Sequence, residues 1–164
     1  MINKPAILMI MTLSVPLAVG AEEMPAATFA QKAAQTDMFE MEAAKLILAK
    51  GVSNEVKQFA GDMVKDHHRT TVDLKDAASK DGVKLPADIS GEFRSKLDSL
   101  RPLNGPALDA AYVSTQVSVH TDAVELFDKF VKDGQGGALK SFATANYPTI
   151  RMHLVRVRNF NVEQ

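Results

Sequence analysis

The sequence predicts an all-α protein: a four-helix bundle in which a long connection between the second and third helices carries a short extra helix. Three observations lead there. Four long segments repeat apolar residues at steps of three and four, the period of a single helix face. Start and stop residues bound each of these segments. No segment shows the strict alternation of a strand, and there is no internal repeat or low-complexity tract.

The first helix is expected over residues 29–50. Thr28 with Gln31 reads as a capping box, and Gly51 as the C-terminal stop. Phe39, Glu42, Leu46 and Ala49 follow at 3-4-3 spacing, which puts Glu42 in an apolar stripe. The second helix is expected over 54–81, with Ser53 as cap, Glu55 in the positive first turn, and Gly82 and Pro86 ending it. Ala60, His67 and Leu74 lie seven apart on its core stripe, a bundle seam with histidine at the centre.

Residues 83–105 hold Pro86, Pro102 and Gly105 and form a connection long enough to cross a bundle. Within it, 90–100 reads as a short helix with Phe93, Leu97 and Leu100 on one face. The third helix is expected over 106–133, opening on Pro106, with a seam of Val113, Val117, His120, Val124, Phe127 and Val131. A glycine-rich turn at 134–137 follows. No strand precedes it, so it is not a phosphate-binding loop. The fourth helix is expected over 138–160, with Leu139, Phe142, Asn146, Ile150, His153, Val157 and Phe160 as its seam. Pro148 inside it predicts a kink or a split into two helices.

A chain of 164 residues suits one domain. Residues 1–21 read as a cleavable secretory signal. Lys4 supplies the positive start, 5–19 is apolar apart from Thr12 and Ser14, and Val19-Gly20-Ala21 offers a cleavage site before Glu22-Glu23. The bundle domain is then 22–164, its expected location periplasmic or secreted, with no membrane span after cleavage. The sequence holds no Cys, which excludes a lipid anchor, disulfides, thiolate metal sites and cysteine nucleophiles. Removing the signal takes away Lys4 alone among charged residues, leaving 18 basic against 20 acidic residues and a net charge of −2. Such a balance exerts no pull toward nucleic acid. No GxSxG elbow, dinucleotide fingerprint or P-loop occurs, so no catalytic residue is assigned. Nothing in the composition marks a protein partner or an oligomeric state.

Three of the four histidines, His67, His120 and His153, sit on core seams of three different helices. The midpoints of the expected helices fall near residues 40, 67, 120 and 149–150. At ~1.5 Å per residue, Glu40, His67 and His120 are at mid-height, with Glu42 and His153 about 4–5 Å away. One histidine from each of three helices and a glutamate from the fourth can therefore meet in one layer. Imidazole with carboxylate suits a single copper, zinc or iron ion, and nickel by the same chemistry. Bundle cores build metal sites from such inward side chains. Met63, one turn before His67, with Met38 and Met41 beside the glutamates, favours copper. The same residues also read as a polar core. Histidines paired with Glu40 or Glu42, or with Thr36, Thr70, Thr115, Asn146 and Tyr112, would fix helix register without any metal. Both readings stand at this point. His68 points about 100° away from His67 and reads as a surface residue or a spare ligand, and Asp66 is expected to solvate the second helix rather than bind metal.

The stretch Met38-Phe39-Glu40-Met41-Glu42, then residues 56–67 ending in Asp66-His67, is similar to a large family of exported bacterial proteins. That family is catalogued as a domain of unknown function with a ferritin-like fold, its members often labelled outer-membrane proteins. The similarity continues through Gly82-Val83-Lys84-Leu85-Pro86, Ala111-Tyr112 with His120, and Tyr147-Pro148 with His153-Leu154, about residues 28–160 in all. It implies a ferritin-like bundle, export, and a role for Glu40, Glu42, His67, His120 and His153 as the family's recurrent polar positions. It implies no settled activity. The alternating strands of an outer-membrane barrel are missing from the sequence. The Glu-x-x-His motif of di-iron ferritins is missing too, because Val64, Lys65, Val117 and Ile150 stand three residues before the histidines. A di-iron centre is therefore disfavoured.

Overall fold

The computed structural model describes residues 23–89 and 91–160, and the expected signal segment lies outside them. Five helices form among the described residues: α1 (Ala26–Lys50), α2 (Asn54–Lys80), α3 (Gly91–Leu100), α4 (Gly105–Asp133) and α5 (Ala138–Arg158). Among these residues no strand forms, only an isolated bridge between Met24 and Gly134. Among the described residues no helix is long and apolar enough to cross a membrane.

Local chemistry explains most of the boundaries. Ser53 caps α2, its Oγ accepting from the Val56 N–H at 3.3 Å. The start of α1 differs from expectation. It begins at Ala26, behind Pro25, and Thr28 lies inside the helix rather than capping it. Packing overrides the local signal here, since Ala26, Phe29 and Ala30 are all buried. The Ala26 N–H is met by Gln135 Oε1, from the turn between α4 and α5, at 3.3 Å. Of the kink or split expected at Pro148, the split does not occur, and α5 runs through it. Pro148 and Thr144 are both exposed, so the carbonyl that proline leaves unpaired can be hydrated.

End-to-end contacts set the topology. Met24 N–H donates to the Asp133 carbonyl at 3.3 Å, joining the start of α1 to the end of α4. Asp81, just beyond α2, accepts from the first N–H groups of α5, Ala138 at 2.9 Å and Leu139 at 2.8 Å. At the opposite end Asp109, near the start of α4, accepts from Val52 at 3.1 Å and Ser53 at 2.8 Å, before α2. The helices therefore run up, down, down and up for α1, α2, α4 and α5. The crossover, with α3 packed on α1 and α4, spans the bundle's length. α1 packs beside α2 and α4, and α5 beside the same two.

The core consists of two apolar clusters. One is centred on Phe39, Ile47, Phe59, Leu97, Leu108 and Tyr112. The other is centred on Phe29, Leu74, Phe127, Phe130, Leu139 and Phe142. Phe29 stacks on Phe130 with centroids 4.1 Å apart and meets the edge of Phe127 at 4.9 Å. Burying each such side chain stabilises the fold by ~1.5–3 kcal/mol. On every long helix the two clusters are separated by buried polar residues. They are Asp37 and Glu40 on α1, His67 on α2, Gln116 and His120 on α4, and His153 on α5.

Candidate metal centre

Each polar residue of this layer is placed by its helix register. On α1 the buried face is Asp37, Glu40, Ala44 and Ile47, itself a 3-4-3 series. The series built on Phe39, Glu42, Leu46 and Ala49 leads away from the layer. Two residues amount to ~200° on a helix, so Glu40 and Glu42 cannot share a face. Glu42 is corrected accordingly: its side chain is 45% exposed and pairs with Lys45 at 2.6 Å. On α4 the seam turns by about one residue, burying Gln116, Val119 and Ala123 beside His120 while Val117, Val124 and Val131 are half-buried. The seams of α2 and α5 lie as expected around His67 and His153.

The three histidines converge. Ring centroids are 6.3 Å apart for His67 and His120, 6.1 Å for His67 and His153, and 5.5 Å for His120 and His153. One ring nitrogen from each lies within 4.8 Å of the others. Each ring is also anchored by a partner that can only accept. His67 Nδ1–H donates to Asp37 Oδ1 at 2.7 Å, His120 Nδ1–H to the Gln116 carbonyl at 3.1 Å, and His153 Nε2–H to Asp66 Oδ2 at 3.1 Å. When the rings are neutral, these bonds fix the tautomers and leave a lone pair on His67 Nε2, His120 Nε2 and His153 Nδ1. His67 Nε2 and His153 Nδ1 are buried without a hydrogen-bond partner among the described residues. A cavity of about 30 Å³ adjoins all three rings, room for one water or one ion.

Glu40 sits beside this group rather than within it. Its Oε2 accepts from Gln116 Nε2, and its Oε1 is a buried orphan 3.7 Å from His120 Nδ1. Met38, Met41 and Met63 do not line the cavity, so the thioether argument for copper finds no contact here. His68 is exposed, as expected. Asp66, expected to solvate α2, instead holds His153 and is only 25% exposed. Sequence reasoning missed Asp37 and Gln116. Their signal was present, three residues before Glu40 and four before His120, the spacing of neighbours on one helix face.

The electrostatics of the layer follow from burial. Burial pushes Glu40 up from 4.5 to about 7, against the pull of His67 and of the Gln116 hydrogen bond. Burial, with the charges of His67 and His153, takes His120 down to about 3. His153 is lowered by burial and by His67, against the pull of Asp66. For His67 burial also pulls downward, but the hydrogen bond and charge of Asp37, with Glu40 and Asp66, raise it above the usual histidine value. His120 and His153 are thus held neutral at pH 7, the form in which imidazole ligates metal.

Solved structures with this fold include two DUF305 chains. One is a DUF305 protein from Streptomyces coelicolor, 14% identical, with a TM-score of 0.67 over 80% of this chain and 87% of that one. The other is a DUF305 fragment from Deinococcus radiodurans, also 14% identical, with a TM-score of 0.70 over 81% and 92%. No curated protein matches the sequence. At this identity the two structures establish the fold alone. The family is shown by the sequence itself: over residues 15–160 it matches DUF4142, a domain of unknown function, and the chain belongs to that family.

Proposed function

We propose that this protein is an exported bundle that binds one transition-metal ion through His67, His120 and His153, with Glu40 as the adjacent carboxylate. Its role would lie in metal handling or a stress response in the cell envelope. The observation that carries this reading is the pairing within the layer. One nitrogen from each of the three rings lies within 4.8 Å of the others beside a cavity of single-ion size, and one nitrogen of each ring is held by its own acceptor. Carboxylate–histidine and carbonyl–histidine pairs of this kind orient the ligands of metal sites and raise their basicity. Imidazole ligation suits copper, zinc or iron. Ligand nitrogens around a tetrahedral ion at ~2.0–2.1 Å are about 3.4 Å apart, so the rings have to draw in modestly on binding. Export is supported by the signal-like 1–21 segment and by the Streptomyces relative, which is named as secreted.

A second reading rests on a specific observation: Asp37, Asp66 and Gln116 already satisfy one nitrogen of every ring. In that reading the layer is a polar core that fixes helix register in a non-catalytic structural or interaction module. Elemental analysis separates the two. Protein purified from the periplasm, and apo-protein reconstituted with copper, zinc or iron, should retain close to one equivalent of one metal after gel filtration, and His67→Ala should retain none. Wild-type protein that keeps no metal under any loading would sink the metal reading and leave the polar core.

A further inference from the structure

The cavity beside the three imidazoles is sealed on most sides. Ala33, Asp37, Ala123 and Phe127, all at 7% exposure or less, close it from α1 and α4, with half-buried Thr36 at the α1 edge. Along the α2/α5 seam the wall changes character. Above the histidines, Asp62 of α2 pairs with Arg156 of α5, whose guanidinium lies 5.3 Å from the centre of the Phe59 ring. One turn below, Asp66 bonds His153. Below that, Ile150 of α5 is buried, but Arg69, Thr70, Asn146 and Thr149 also line the cavity there and all are half-buried or exposed.

Asp66 therefore does two things. One carboxylate oxygen reaches His153 Nε2 inside, and the other lies 3.6 Å from the Arg69 guanidinium, whose side chain is 61% exposed. The other carboxylates lining the cavity, Asp37 and Glu40, are buried. Resting on the metal reading above, we propose that cations reach the three imidazoles through the α2/α5 seam, with Asp66 as the relay carboxylate and Arg69 as the cation that competes for it at the mouth. An incoming ion displaces Arg69 from Asp66, is held by the carboxylate at the threshold, and passes to His153 next to it. Arg69 touches none of the three histidines, so its effect is on rate rather than on affinity.

Stopped-flow mixing of metal-free full-length protein with cobalt(II), read by its absorption bands, tests this. Arg69→Gln should raise association and dissociation rates together, several-fold, with Kd unchanged. Asp66→Asn should slow association about tenfold or more, the lower end of what charge focusing in a cleft provides, and Asp66→Glu should restore it. Wild-type association should fall with added salt, and that dependence should shrink in Asp66→Asn. If wild type binds cobalt(II) but all variants associate at its rate, the site stands and the port is overturned. The same follows if Thr36→Phe, on the α1 wall, is the change that slows uptake. If wild type takes up neither cobalt(II), zinc(II) nor copper(II), the metal reading fails and the port fails with it.

Discussion

Glu40 and His120 sit 3.7 Å apart, and burial shifts each away from its ordinary value. The folded value of Glu40 is raised from 4.5 to about 7, so its contribution is fully present below pH 4.5 and is lost as pH rises toward 7. The folded value of His120 is depressed from 6.5 to about 3, so its contribution is present above pH 6.5 and is lost as pH falls toward 3. Between pH 4.5 and 6.5 the two slopes oppose each other, and below 4.5 the histidine loss is uncompensated. His153, lowered as well, adds to that acid loss. His67, raised, adds stability at low pH that is lost as pH rises through its folded value. Glu40→Gln keeps an acceptor for Gln116 but removes the carboxylate. Urea unfolding from pH 3 to 8 should then show stability falling continuously from pH 6.5 downward, with a gain over wild type above pH 7 on the order of 1–3 kcal/mol. A pH profile that overlays wild type would refute this account of the pair.

At the scale of elements, the two ends of the bundle use one device. A carboxylate from one helix pair supplies the cap that the neighbouring pair lacks. Asp109 serves the α1–α2 turn, and Asp81 serves the start of α5. Gly137 belongs to the second arrangement: its φ is +140°, and a Cβ there would stand 2.7 Å from Asp81 Oδ2. Asp81→Ala strands two N–H groups at a helix N-terminus, where the dipole also favours negative charge. The expected cost is about 1–2 kcal/mol, a typical capping loss. Hydrogen exchange should localise the loosening to 138–141, and unchanged protection there would show that α5 starts without Asp81. Caps of this kind are invisible to sequence reading, which looks for them within three residues. The same applies to α1, where Gln135 is 109 positions away from the N–H it meets.

For the whole molecule, the polar layer divides one core into two apolar halves, and a buried layer of this kind costs stability unless something binds it. A metal that binds only the folded state supplies about 2.7 kcal/mol at a hundredfold excess over Kd. That corresponds to a rise of several degrees in Tm for a chain of this size. Replacing Asp37, His67 and His120 together by Leu removes rings and counter-ion at once, so neither is left buried alone. The triple variant should fold at least as stably as the apo wild type, and differential scanning calorimetry should show no further rise on adding metal. A metal-induced shift that survives in the triple variant would place binding elsewhere.

By itself the sequence determined the helices, their order and the long crossover, because helix periodicity and stop residues are local properties of the chain. It also identified His67, His120 and His153, since each falls on a strongly periodic seam and mid-height can be counted along a helix. It did not separate Glu40 from Glu42, because the alanine-rich α1 offers apolar residues on several faces and only packing against α2 and α4 selects one. Asp37, Gln116 and Asp66 acquire their places from neighbours 30, 76 and 87 positions away. Tertiary structure alone decided which nitrogen of each histidine is tied and which is free. For His67 and His153 that partnership is a contact between helices, which no single helix contains, and His120 alone is tied within its own helix, to the Gln116 carbonyl.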